Sequence, residues 1–93
     1  MNSDLNKKMG ARVRKVRVVK NLSQERLSEL LHVSRATTSL YETGTRATSV
    51  DLLFRLSRVL NVPAHCWLLD DSDFDEFVRH LKAQEHEVHH SWE

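Results

Sequence analysis

Apolar residues recur at helical spacing from the start of the chain. Leu5, Met9, Val13 and Val16 fall three or four apart, with Val19 or Lys20 next, which predicts an amphipathic helix from Ser3 or Asp4 to about Lys20 with a basic outer face. The β-branched Val18 and Val19 weaken its last turn, and Asn21 is a suitable terminator. Ser23 then offers an N-cap, and Leu22 can pack on Leu27 in hydrophobic-staple geometry, so a second helix starts at Gln24. Its Leu27, Leu30 and Leu31 face inward, and it stops near Leu31 because Ser34 provides another N-cap three residues on. A third helix runs from Ser34 to about Thr43, ahead of Gly44 as a left-handed C-cap. Ser49 caps a fourth whose Leu52, Leu53, Leu56, Val59 and Leu60 form the most apolar stripe of the molecule.

Pro63 opens a short fifth helix, where its missing N–H costs nothing, and Trp67, Leu68 and Leu69 close the domain. Asp70, Asp71 and Ser72 read as a linker. A sixth helix from Asp73 to about Gln84 carries Phe74, Phe77, Val78 and Leu81 on one face, and Glu85 to Glu93 is polar and expected to fray. The organisation predicted is therefore a domain over 1–69 and, over 70–93, an acidic linker, a C-terminal helix and a polar tail.

Composition narrows the class. Ninety-three residues with 40% apolar, 29% charged, two Gly and one Pro fit one globular all-α domain and leave no material for a second core. No apolar run reaches the roughly 18 to 20 residues of a membrane span, and Met1 to Lys8 lacks the apolar stretch of a secretory signal, so a cytoplasmic location is expected. Cys66 is alone and reads as a small buried hydrophobe. The net charge of +1 hides an asymmetry. Residues 1–48 hold ten Lys and Arg against four Asp and Glu, a net of +6, whereas 49–93 hold four against nine, a net of −5. The first half would draw in phosphates, with counterion release supplying much of the affinity.

Two short helices joined by a three-residue turn, Gln24 to Leu31 and Ser34 to Tyr41, are the signature of a helix-turn-helix. The stretch Gly10 to Val62 resembles the Cro/repressor-like (XRE-type) helix-turn-helix DNA-binding family. Leu22-Ser23-Gln24-Glu25, Leu27, Val33-Ser34, Tyr41-Glu42 and Gly44 stand at the family's spacing. The resemblance implies a compact five-helix lambda-repressor-like domain, here with an added C-terminal helix. It also implies that the helix after the turn lies in the major groove of double-stranded DNA with its first residues on base edges. Arg35 and Ala36 come first, with Thr37, Ser39 and Leu40 in reach of the same groove. Arg35 has the fork to pair bidentately with guanine, and Ala36 and Leu40 can meet thymine methyl groups.

Other roles follow from the same likeness. Gln24 matches the family's phosphate-contacting glutamine, whose amide also buttresses the first recognition residue. Ser34, Thr43, Thr45 and Arg46 are further candidates for phosphate contacts that fix register. Arg17 and Glu42 match positions forming a partly buried ion pair between the first helix and the recognition helix. The chain also departs from the family pattern. Ser28 stands where a small residue is favoured, His32 where the turn favours glycine, Thr38 for a buried Ile or Val, and Thr48 for a frequent proline. The Thr38 hydroxyl is expected to need a local carbonyl partner.

His86, His89 and His90 would share a helical face, but no carboxylate or Cys completes a ligand spacing, so neither metal nor cofactor is expected. Asp70, Asp71, Asp73, Asp75 and Glu76 suit a helix start, and nothing assembles a nucleophile, base and orienting group, which argues against an enzyme. Phe74, Phe77, Val78 and Leu81 either pack within the chain or form a dimer interface, and the second reading is favoured because the five-helix unit is already complete. The expectation is a sequence-specific transcriptional regulator, a repressor acting as a homodimer on a near-palindromic operator. The alternative is an antitoxin that binds a partner through its acidic C-terminal half and autoregulates its operon. A phage repressor, a restriction-modification controller and a protein adaptor complete the alternatives.

Overall fold

A computed structural model describes residues 3–91, with side chains described for residues 3–85. The chain is all-α: α1 is Ser3–Val19, α2 Gln24–Leu31, α3 Arg35–Thr43, α4 Val50–Leu60 and α5 Asp71–Ser91, with a 3-10 helix at Ala64–Leu68 between the last two. Local chemistry sets the boundaries. The hydroxyls of Ser23, Ser34 and Ser49 accept from the backbone N–H groups of Arg26, Thr37 and Leu52 at 3.0, 3.0 and 3.1 Å, each satisfying one donor that a helix start leaves free. Asn21, His32, Gly44 and Asn61 take the left-handed conformation after α1, α2, α3 and α4, with φ of 61°, 59°, 79° and 56°. Only Gly44 occupies this region without a Cβ penalty.

Val13, Val16, Leu27, Leu31, Leu52, Leu56, Leu60, Val62, Trp67, Phe74 and Leu81 are buried in a single cluster. Trp67 is fully buried, and its indole N–H donates to the Ser57 hydroxyl at 2.9 Å, while Ser57 donates onward to the Leu53 carbonyl at 2.8 Å. A buried polar edge is thereby satisfied. Gly10 marks the closest approach of α1 and α3. A Cβ there would collide with the Tyr41 carbonyl and lie 2.6 Å from that of Glu42, so a side chain at this position forces the two helices apart.

Several expectations need correction. Leu5 and Leu68 are not core residues but stand exposed, both lining a surface depression beside the 3-10 turn, which drives Trp67 inward at the expense of its neighbour Leu68. Asp70 to Ser72 is not a linker. Asp70 Oδ1 accepts from the Asp73 N–H at 2.9 Å as a helix cap, and α5 begins at Asp71 and continues to Ser91, past the expected end at Gln84. Phe74 and Leu81 are buried against the chain's own core, which removes them as a dimer surface and leaves Phe77 and Val78 half-buried beside them. α5 therefore shares the core of the helices before it.

The fastening of α5 was not visible as such in the sequence. Arg12, on a helix whose outer face is basic, is itself buried. It donates to the Trp67 carbonyl at 2.9 Å and to Asp71 Oδ1 at 3.0 Å, and its guanidinium carbon lies 4.5 Å from the centre of the Phe74 ring. Cation–π contact and charge-assisted hydrogen bonds thus act on one side chain. Lys8 also pairs with Asp71, Lys15 with Asp75 and Lys20 with Glu85, at 3.2, 3.5 and 2.9 Å. The pairs ascend together along both helices, so α1 and α5 run parallel. Lys8 and Arg12 hold the Asp71 carboxyl below the usual carboxylate range by hydrogen bonding and charge, and burial raises the Cys66 thiol.

Candidate nucleic-acid interface

The sequence Leu31-His32-Val33-Ser34-Arg35 turns one helix sharply into the next. His32 adopts the left-handed conformation and donates its N–H to the Glu29 carbonyl at 3.2 Å. Val33 donates to the Ser28 carbonyl at 3.0 Å, giving the paired bonds of a Schellman closure. Ser34 then caps α3.

At the contact of α2 and α3, Ser28 and Thr38 are both buried and their hydroxyls are 2.6 Å apart. The carbonyl partner expected for Thr38 is instead this hydroxyl. Ser28 spends its hydrogen on the Gln24 carbonyl at 2.6 Å, so Thr38 must donate to Ser28. Two departures from the family pattern thus complete each other. Replacing Ser28 by Ala leaves the Thr38 hydroxyl buried without an acceptor and is expected to destabilise by about 1–3 kcal/mol. Adding Thr38→Val removes the stranded group, so the double variant should recover most of the loss. Urea unfolding checks this, and equal losses for the single and double variants would reject the pairing.

A second buried network aims α3. Arg17 Nε donates to Glu42 Oε2 at 2.6 Å and Arg17 Nη2 to Glu42 Oε1 at 3.1 Å, a bidentate pair, while Nη1 donates to the Leu22 carbonyl at 2.8 Å. The Arg17 and Glu42 side chains are 11% and 2% exposed. Gln24 Nε2 donates to Glu42 Oε1 at 3.0 Å, so the amide turns to Glu42 and the start of α2 is locked to the same carboxylate. One N–H of that amide remains to donate outward.

Against this frame the first turn of α3 presents Arg35 and Ala36 exposed, with Thr37, Ser39 and Leu40 half-buried. The Thr37 hydroxyl lies 2.8 Å from that of Ser34, which leaves one hydroxyl hydrogen of the pair free. Thr43 and Thr45 are less available as phosphate donors. Thr43 donates to the Leu40 carbonyl at 3.2 Å and its oxygen is 2.9 Å from that of Thr45, so both hydrogens are committed within the loop. Arg46 is exposed, with its N–H on the Leu40 carbonyl at 3.1 Å and its guanidinium 5.9 Å from the Tyr41 ring centre.

The sequence reading missed Lys7. Its backbone lies within 2.6 Å of where a Cβ on Gly44 would stand, so an exposed lysine borders the loop after α3.

Among the described residues, no group of three or more His, Cys, Asp or Glu is arranged to hold a metal ion, and no helix is long and apolar enough to cross a membrane. The side chains of His86, His89 and His90 lie outside the described residues.

No curated protein matches the chain. The helix-turn-helix family model matches residues 13–65, more than half of the 93 residues, and spans the last part of α1, α2, the turn, α3 and α4. With two capped helices in this arrangement and an exposed, arginine-led face on the second, the chain belongs to the XRE-type helix-turn-helix family of DNA-binding transcription regulators.

Proposed function

We propose that the chain acts in the cytoplasm as a repressor, binding a near-palindromic operator as a homodimer and blocking a promoter by occupying it. The observation that carries this reading is the rigid presentation of Arg35 and Ala36, exposed at the start of a helix whose far end is tied by a buried bidentate ion pair. A side chain that reads a base edge must be positioned to within a fraction of an ångström, and such a tether supplies that. Gln24, Ser34 and Arg46 flank it as phosphate contacts, with Lys7 added to them. Two recognition helices would enter successive major grooves about 34 Å apart.

The antitoxin alternative rested on a free acidic surface in the C-terminal half. Asp71, Asp75 and Glu85 are instead paired with Lys8, Arg12, Lys15 and Lys20 of α1, which weakens that motive. No catalytic role is proposed.

Selection from a random duplex pool near physiological salt, followed by sizing of the bound species, tests the reading. An inverted repeat with half-sites about one helical turn apart, bound by two chains, is expected. No enriched sequence from a folded protein would overturn it.

A further inference from the structure

The outward face of α4 exposes large apolar side chains that no other described element covers. Val50 and Phe54 stand one turn apart and are 69% and 56% exposed. Asp51 and Arg58 continue the same face, with Asn61 at its C-cap, and all three are exposed. Asp51 and Arg58 make no ion pair among the described residues. The opposite face buries Leu52, Leu56 and Leu60, so α4 is held firmly while presenting a phenyl ring to water.

The order of charges along this face decides what it fits. Asp51 and Arg58 are seven residues apart, two helical turns, and so occupy the same angular position. They lie equally far, about 5 Å along the axis, on either side of the midpoint between Phe54 and Arg55. Two copies of α4 packed antiparallel about a two-fold axis at that midpoint bring Phe54 against Phe54 and set each Asp51 at the level of the partner's Arg58. A parallel pairing would oppose Asp51 to Asp51 and Arg58 to Arg58. The face is self-complementary in one orientation only, as an isologous interface requires.

We infer that α4 is the contact between two copies of this chain, joined antiparallel through Phe54 with reciprocal Asp51–Arg58 pairs. This rests on the homodimer reading and gives it a location away from the apolar face of α5, where Phe74 and Leu81 are buried internally. One helix face covers far less than the roughly 800 Å² per partner of a stable interface. The dimer is therefore weak in free solution and is completed when two chains sit on adjacent half-sites of one DNA, where each raises the effective concentration of the other.

The test measures self-association of the full chain by sedimentation across concentration, and separately its affinity for a single half-site and for the full inverted repeat. Phe54→Asp is expected to weaken self-association by at least ~10-fold, as for a central anchor residue, with half-site affinity unchanged. Asp51→Arg and Arg58→Asp each oppose like charges twice, and each should weaken it about 5- to 10-fold. Mixing these two single variants makes every contact complementary again, so a heterodimer should form where neither homodimer does. If the wild type dimerises but all three variants dimerise equally well, the inference falls and the homodimer reading stands with its interface elsewhere. If the singles weaken and the mixture does not recover, the antiparallel arrangement is wrong. If the wild type binds the full repeat as one chain at every concentration, both fall.

Discussion

Replacing Glu42 by Ala is expected to lower the stability of this protein by about 3–5 kcal/mol, because Arg17 is left buried with only the Leu22 carbonyl as partner. For a domain of this size each kcal/mol moves the melting temperature by about 4 °C or more, so the loss is visible in any thermal scan. Set against a total stability of about 5–15 kcal/mol, this is between a fifth and the whole of what holds the fold. The companion variant separates charge from packing. Changing Arg17 and Glu42 together to Met removes both charges at similar volume and is expected to be near neutral or stabilising. Its DNA affinity should still fall, since Gln24 loses the carboxylate that holds its amide. A cost for Glu42→Ala below 1 kcal/mol would mean that water reaches the pair and that α3 is aimed by apolar packing alone.

Arg35→Ala should leave folding untouched, since the side chain is exposed and makes no intramolecular bond among the described residues. On the preferred operator it should remove about 1–3 kcal/mol in each half-site, or roughly 5- to 150-fold at each, and tolerance of other bases should rise at one position per half-site. Arg46→Ala supplies the contrast. It should weaken binding to all sequences alike and lower the salt slope by about one, the behaviour of a phosphate contact. Titration of both variants on preferred and scrambled duplexes at two salt concentrations checks the division. If Arg35→Ala weakens both duplexes equally, Arg35 holds the backbone and reads no base.

What could be read from the sequence was what is local. The three serine caps, the terminator Asn21, the left-handed Gly44 after α3 and the leucine stripe of α4 depend on neighbours within a few positions, and the structure agrees at each. What was misread depends on partners far along the chain. Arg12 sits on the apolar stripe with Met9, Val13 and Val16, and its spacing alone could have raised the question of why a guanidinium belongs there. The answer required the Trp67 carbonyl and Asp71, more than fifty residues away. The early start of α5 follows from the same clamp. The Phe74 stripe is surplus only if five helices complete a core, and α1 has a second apolar flank that they leave uncovered. At the recognition face, the identity of the helix and of its leading Arg35 was legible from pattern and resemblance, and the structure sets Arg17 and Glu42 at bonding distance. The hydroxyl chain that occupies Thr43 and Thr45 was not legible, because a side-chain rotor leaves no trace in a sequence.

The donor relay from Thr38 through Ser28 to the Gln24 carbonyl also has a direction in descent. From an ancestor with a small residue at 28 and Ile or Val at 38, a serine arriving first at 28 finds its acceptor within its own helix and is tolerated. A threonine arriving first at 38 meets no acceptor and passes through a less stable intermediate. The order in which the pair can be gained is therefore constrained, and so is its loss: a lineage that gives up the pair should lose Thr38 before Ser28.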